Sequence, residues 1–287
     1  MNLLIQFLLR LSFGLAVGMA ITSPKRVTSG YFRNHLYVTL GLTTLAAMVS
    51  FSVAPNVLWY AIGAAIASYI GSVCWLYERP VAGKIMLVIV LAASWLGMLN
   101  QIQYSGSQKK GSVSFDEKYY SHYSWGNRPN TVEEHTKFRN QMLWDMRVVI
   151  STILVSMTTS GLLLGMTMAA MLLGHWYLNT PTMELVPLRR LIIAMSVAVG
   201  MQAIVSALGL WGEVTYAIEI STQWWLFLLL RWLFGIIGVA ILAWMAWQTL
   251  KIPNTQSATG ILYVAVIGTF VGETMALLLS AESLFPL

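Results

Sequence analysis

The sequence predicts an all-α integral membrane protein of about eight transmembrane helices. Three observations carry this. Of 287 residues, 57% are hydrophobic and 10% are charged, whereas soluble domains carry roughly 25% charged residues. Apolar runs long enough to cross a hydrocarbon layer of ~30 Å at 1.5 Å per residue recur along the chain. The cations sit in every second short connection between those runs, as expected when Lys and Arg stay on the inner side.

The runs lie near residues 3–22, 36–54, 57–77, 82–100, 148–177, 189–211, 222–249 and 257–280. The first follows Asn2 with no preceding cation and is followed by Lys25, Arg26 and Arg33. That order is unlike a cleaved secretory leader and predicts an uncleaved first helix entering from outside. Arg79 and Lys84 follow the third run, Arg189 and Arg190 the fifth, and Lys251 the seventh; Pro55-Asn56 and residues 212–221 contain no Lys or Arg. One orientation satisfies all of these, with both termini outside and the cations inside, as in a bacterial inner membrane. The chain then divides into helices 1–4 (residues 1–100), an outer-side polar insert (101–147) and helices 5–8 (148–287). Long segments translocate largely regardless of charge, so the charged insert does not oppose this orientation.

The net charge of +6 therefore reads as topology. The basic residues form no stripe with interleaved aromatics, and nucleic acid is not an expected partner. The single cysteine, Cys74, excludes an intramolecular disulfide and a cysteine cluster. No Walker loop, GxSxG, HExxH or dinucleotide fingerprint occurs, which argues against an ATP-driven enzyme or a hydrolase. Gly14, Gly18, Gly161, Gly165, Gly235 and Gly238 stand at or near GxxxG spacing, a signal for close helix packing.

Ionisable residues within a bilayer cost on the order of 2.5–3.5 kcal/mol each on insertion scales, and they usually face a bundle interior. Arg10, Arg231 and Glu273 are such residues, each roughly 10–13 Å below the outer surface by helical rise. The short loop between the last two spans makes Arg231 and Glu273 antiparallel neighbours and the expected ion pair, with Gln202 close enough to extend it. Two readings stand side by side: a salt bridge that locks packing, and an arginine-tuned carboxylate beside a small polar ligand such as a quinone headgroup. Glu213 and Glu219, in a short outer loop, are expected to be solvated.

His35 opens the second span and His175 closes the fifth, both near the inner face. A facing pair would suit a b-type haem. Their position at helix ends favours interfacial roles instead, and haem is not expected. In the insert, Tyr119, Tyr120, Tyr123 and Trp125 are either locally packed aromatics or an outer docking surface for a partner. Leu8-Leu9-Arg10 with Phe13-Gly14 matches Leu229-Leu230-Arg231 with Phe234-Gly235, and Leu36-Tyr37-Val38 matches Leu262-Tyr263-Val264. A repeated helix pair and convergence of apolar sequence both account for this.

Eight spans with outward termini, the Gly-rich fifth span Ser160-Gly161-Leu162-Leu163-Leu164-Gly165, Arg231-Trp232 early in the seventh and Gly272-Glu273 in the last together resemble the dimethyl sulfoxide reductase membrane anchors within the polysulfide reductase NrfD-like group. The likeness lies mainly in topology and in the C-terminal half. It implies a membrane subunit that holds a catalytic and an iron-sulfur subunit and exchanges electrons with a quinone pool, without haem of its own. Those anchors resemble one another in a His-Leu-Gly-Ser-Pro ending of the second span that bears the quinol-site histidine. This chain reads Ser50-Phe51-Ser52-Val53-Ala54-Pro55 there. A small-solute or ion transporter and a non-catalytic scaffold are the competing expectations.

Overall fold

The computed structural model describes residues 2–108, 132–180, 183–216, 222–252, 254–283 and 285–287, with side chains at all of these except 102–108, 132–146, 215–216 and 282. Every regular element among them is a helix. They are α1 (Asn2–Ile21), α2 (Ser29–Val53), α3 (Pro55–Leu76), α4 (Pro80–Gln108), α5 (Val132–Asn179), α6 (Val186–Tyr216), α7 (Thr222–Lys251) and α8 (Thr255–Glu282). Each contains a segment long and apolar enough to cross a membrane. In α4 and α5 that segment is Pro80–Gln101 and Arg147–Asn179, so both helices run past it into the polar insert. The aromatic cluster at Tyr119, Tyr120, Tyr123 and Trp125 lies outside the described residues.

Local chemistry sets the boundaries. Ala54 alone separates α2 from α3; Pro55 cannot continue α2 and is pre-set for a first helical position, and the Ala54 N–H closes the previous helix on Ser50 O at 2.9 Å. At the end of α3, Glu78 adopts φ 53°. The N–H groups of Glu78 and Arg79 then reach Trp75 O at 3.3 Å and Cys74 O at 2.9 Å, the paired bonds of a Schellman ending. Asn254 caps α8 by accepting the Ser257 N–H at 3.0 Å. Besides the extensions of α4 and α5, two boundaries differ from the sequence reading. α2 starts at Ser29, well before residue 36, because Arg33 and Asn34 ride on its outward-facing side while Tyr31, Phe32 and His35 are buried. α6 runs on to Tyr216 and carries Glu213 within the helix.

The helices form two four-membered rings. In the first, α1 packs on α2 and α4, and α3 on α2 and α4; in the second, α5 packs on α6 and α8, and α7 on α6 and α8. The rings meet along α1 and α5. At that crossing a Cβ on Gly165 would stand 1.8 Å from the Gly14 carbonyl carbon, and one on Gly14 would stand 1.8 Å from Gly161 O. Only glycine permits this approach, which is how packing replaces the hydrophobic effect between helices in lipid. α7 and α8 touch in the same way at Gly235 and Gly272. The glycines that match in the two sequence copies therefore pack on different partners, α5 for Gly14 and α8 for Gly235.

At the end of both rings that holds the α1 C-terminus and the α2 N-terminus, one shared apolar core includes Leu15, Met19, Tyr31, Leu36, Leu173, Leu188 and Leu262. Ile5, Leu9, Val57, Ala61 and Met98 form a smaller one at the opposite end of the first ring. Large apolar side chains such as Met48, Phe51, Trp59, Ile204, Leu229 and Trp244 are exposed. A soluble monomer rarely presents so much apolar surface, and hydrocarbon is its natural surrounding.

Candidate functional site

Five helices converge on one buried polar layer. α1 supplies Arg10, α5 Thr159 and Ser160, α6 Gln202 and Ser206, α7 Arg231, and α8 Gly272 and Glu273. The side chains predicted from sequence are almost fully enclosed: Arg10 is 8% exposed, Gln202 1%, Arg231 2% and Glu273 5%. The four are brought into one layer, which draws on both rings.

The pairing inside the layer differs from expectation. Glu273 Oε1 accepts from Arg10 Nη1, and the same Nη1 lies 3.3 Å from Ser160 Oγ. Arg231 instead donates from Nη1 to the carbonyl of Gly272 at 3.2 Å and from Nη2 to Ser206 Oγ at 2.9 Å. No carboxylate among the described residues lies within 4.0 Å of it. The cause is the Gly235–Gly272 contact. It draws α7 against the α8 backbone, so that Arg231, one turn before Gly235, meets a main-chain carbonyl. Glu273 is one residue on, about 100° further round the helix, and turns toward α1. Glu273 and Arg10 both still act on the Arg231 charge, the first attracting and the second repelling it.

Gln202 is held at one end, where its Oε1 accepts the Thr159 hydroxyl at 2.5 Å. Its Nε2 has no partner among the described residues, and neither do Arg10 Nε and Arg231 Nε. Ser206 lies one turn after Gln202 on α6, and Thr159 precedes Ser160 on α5, so two helices each present a polar pair to the layer. These hydroxyls were not singled out from sequence. Their signal was the register: Ser206 four residues from Gln202, and Ser160 beside the glycine at the ring junction.

A further feature of the π type coincides with the site. Residues Arg231–Gly238 within α7 wind as a π-helix. Such segments are rare and are often found at functional positions, because the wider turn shifts the side chains that follow. Here it begins at the buried arginine and includes Gly235.

The histidines are not brought together as a pair. His35 is buried in the first ring, its Nδ1 2.6 Å from Tyr31 O and its Nε2 without a partner among the described residues. His175 lies on an exposed face, where Nδ1 is 3.2 Å from the Tyr263 hydroxyl of α8. Among the described residues no cluster of three His, Cys, Asp or Glu could hold a metal ion. Glu213, expected to be solvated, is 5% exposed and accepts the Phe285 N–H at 3.1 Å; residues 285–287 fold back against α6 and supply that partner. Glu219 lies outside the described residues.

Near the other ends of the helices the two rings are tied by Arg26 and Glu184, 3.5 Å apart. Arg189 Nη2 donates to Leu250 O at 2.9 Å and so satisfies a carbonyl in the last turn of α7. Two of the cations in the short connections therefore make structural contacts.

The chain matches no family model, no curated protein and no solved structure.

Proposed function

We propose that this chain is the membrane anchor subunit of a multi-subunit respiratory redox complex. In this reading the Arg10–Gln202–Arg231–Glu273 layer is the place where a quinone headgroup is received near the outer face, and the 101–147 insert is the docking segment for extrinsic subunits. The single observation that carries it is the buried layer itself. Two guanidiniums, a carboxylate and an amide are enclosed within membrane-spanning helices, with N–H groups left unfilled. Polar groups in hydrocarbon are costly and generally mark function. Unfilled N–H donors suit a ligand that offers oxygen acceptors on a lipophilic body, and a quinone is such a ligand.

The experiment is purification in mild detergent from the source membrane. Soluble redox subunits and an extractable quinone are expected with the wild-type chain. Arg231→Gln, which keeps a donor while removing the charge, is expected to retain the subunits and lower the quinone content several-fold. A chain purified alone, whose melting temperature rises with a small solute and not with a quinone, would favour the transporter reading.

The orientation belongs to the same proposal, since the outer side is assigned from the cation distribution. In a Cys74→Ala background, Asn56→Cys and Arg79→Cys both present exposed positions at opposite ends of α3. An impermeant thiol reagent applied to intact cells is expected to label position 56 only. Labelling at 79 alone would invert the topology.

A further inference from the structure

We infer that the layer is built to hold an anionic oxygen, so that its ligand class narrows to quinone-type molecules whose ring oxygen is negative, with Arg231 and Gln202 as the residues that select for it. The inference rests on the functional reading above and goes beyond it in naming the charge state that the site prefers.

The charges of the layer do not balance. Glu273 accepts from Arg10, and no second carboxylate among the described residues lies within 4.0 Å of Arg231. Among the described residues the hydrogen-bond partners of Arg231 are dipoles, the Gly272 carbonyl and the Ser206 hydroxyl, and Glu273, which attracts it from beyond ion-pair distance, is already engaged by Arg10. A guanidinium 2% exposed within a membrane-spanning helix is costly without a counter-charge.

The hydrogen bonds are unbalanced in the same direction. Among the described residues, the atoms of the layer without partners are Arg10 Nε, Arg231 Nε and Gln202 Nε2, all N–H groups. A missing partner that answers both shortages must bring acceptor lone pairs and negative charge together. A neutral carbonyl brings only the first. A deprotonated ring oxygen brings both, and charge-assisted bonds to it are about twice as strong as neutral ones. The site should therefore discriminate by charge at constant shape, because leaving these groups unpaired is what penalises the neutral ligand.

Three probes with the same alkyl tail separate the possibilities: a 2-hydroxy-1,4-naphthoquinone, which is ionised at neutral pH, its 2-methoxy ether, and a simple alkyl carboxylate. Binding is measured by tryptophan quenching and by calorimetry, with the purified chain in nanodiscs of zwitterionic lipid. The hydroxyquinone is expected to bind at least about tenfold more tightly than the ether. Arg231→Gln should reduce that ratio to within about twofold, chiefly by weakening the hydroxyquinone, while Arg231→Lys retains most of it. The wild-type ratio decides the matter even if neither variant folds. Equal affinity for hydroxyquinone and ether would overturn the anion preference while leaving the quinone reading intact. Binding of neither quinone would overturn the quinone reading itself. An alkyl carboxylate that binds as tightly as the hydroxyquinone would overturn the quinone class and assign the layer to anions in general.

Discussion

Neutralising Glu273 alone, as Glu273→Gln, is expected to destabilise the protein by roughly 3–5 kcal/mol, the cost of leaving a buried charge without its partner. The orphaned group would be Arg10, enclosed between α5 and α8, and an arginine cannot shed its proton to escape. Arg10→Met is expected to cost less, because the abandoned Glu273 can take up a proton and become neutral. The double variant Arg10→Met with Glu273→Leu should recover most of the lost stability, since apolar groups of similar volume replace buried ion pairs at little net cost. Unfolding in mixed micelles, read as a double-mutant cycle, checks this. Strong coupling is expected between positions 10 and 273 and weaker coupling between 231 and 273, where the structure shows no direct ion pair. Additive losses at 10 and 273 would show that the pair does not form. A double variant that folds and assembles yet loses quinone would separate the functional part of the layer from its structural part.

The second large effect is expected at the ring junction. Gly165→Ala would place a methyl group 1.8 Å from the Gly14 carbonyl carbon and 2.2 Å from its Cα. Backbone atoms cannot rotate aside as a side chain can, so α1 and α5 must separate. Overpacking costs about 1–3 kcal/mol where side chains absorb it, and a value at or above the top of that range is expected here. The separation would also pull Arg10 away from Ser160 and Glu273. Gly41→Ala and Gly200→Ala are the controls, because nothing lies within 4 Å of a Cβ at either position. In a helix those changes are expected to be neutral or to stabilise by up to about 1 kcal/mol. Thermal melts in detergent distinguish the two classes; a Gly165→Ala protein as stable as Gly41→Ala would mean that the helices are not in backbone contact there.

The spans could be read from one dimension because the bilayer imposes a one-dimensional rule. Backbone groups in hydrocarbon must bond internally, so any apolar run of sufficient length becomes a helix. Residues 57–77 and 257–280 accordingly fall within one or two residues of α3 and α8. The reading failed where boundaries depend on which side of a helix is covered. Polar Arg33 and Asn34 look like a loop until Tyr31, Phe32 and His35 are seen packed beneath them, and Glu213 looks solvated until residues 285–287 fold over it.

The same division holds for the site. Spacing alone grouped Arg10, Arg231 and Glu273 in one layer, with Gln202 nearby, because helical rise converts residue number into distance along a span. It also identified Gly14, Gly161, Gly165 and Gly235 as packing glycines, but not Gly272. Which guanidinium meets the carboxylate was decided by tertiary structure, since it depends on the rotation of each helix about its axis. That rotation is set by contacts between residues far apart in sequence: Gly14 against Gly161 and Gly165, and Gly235 against Gly272. Once those crossings are made, Arg231 faces a main-chain carbonyl, and Glu273, about 100° further round α8, faces Arg10 on the other ring.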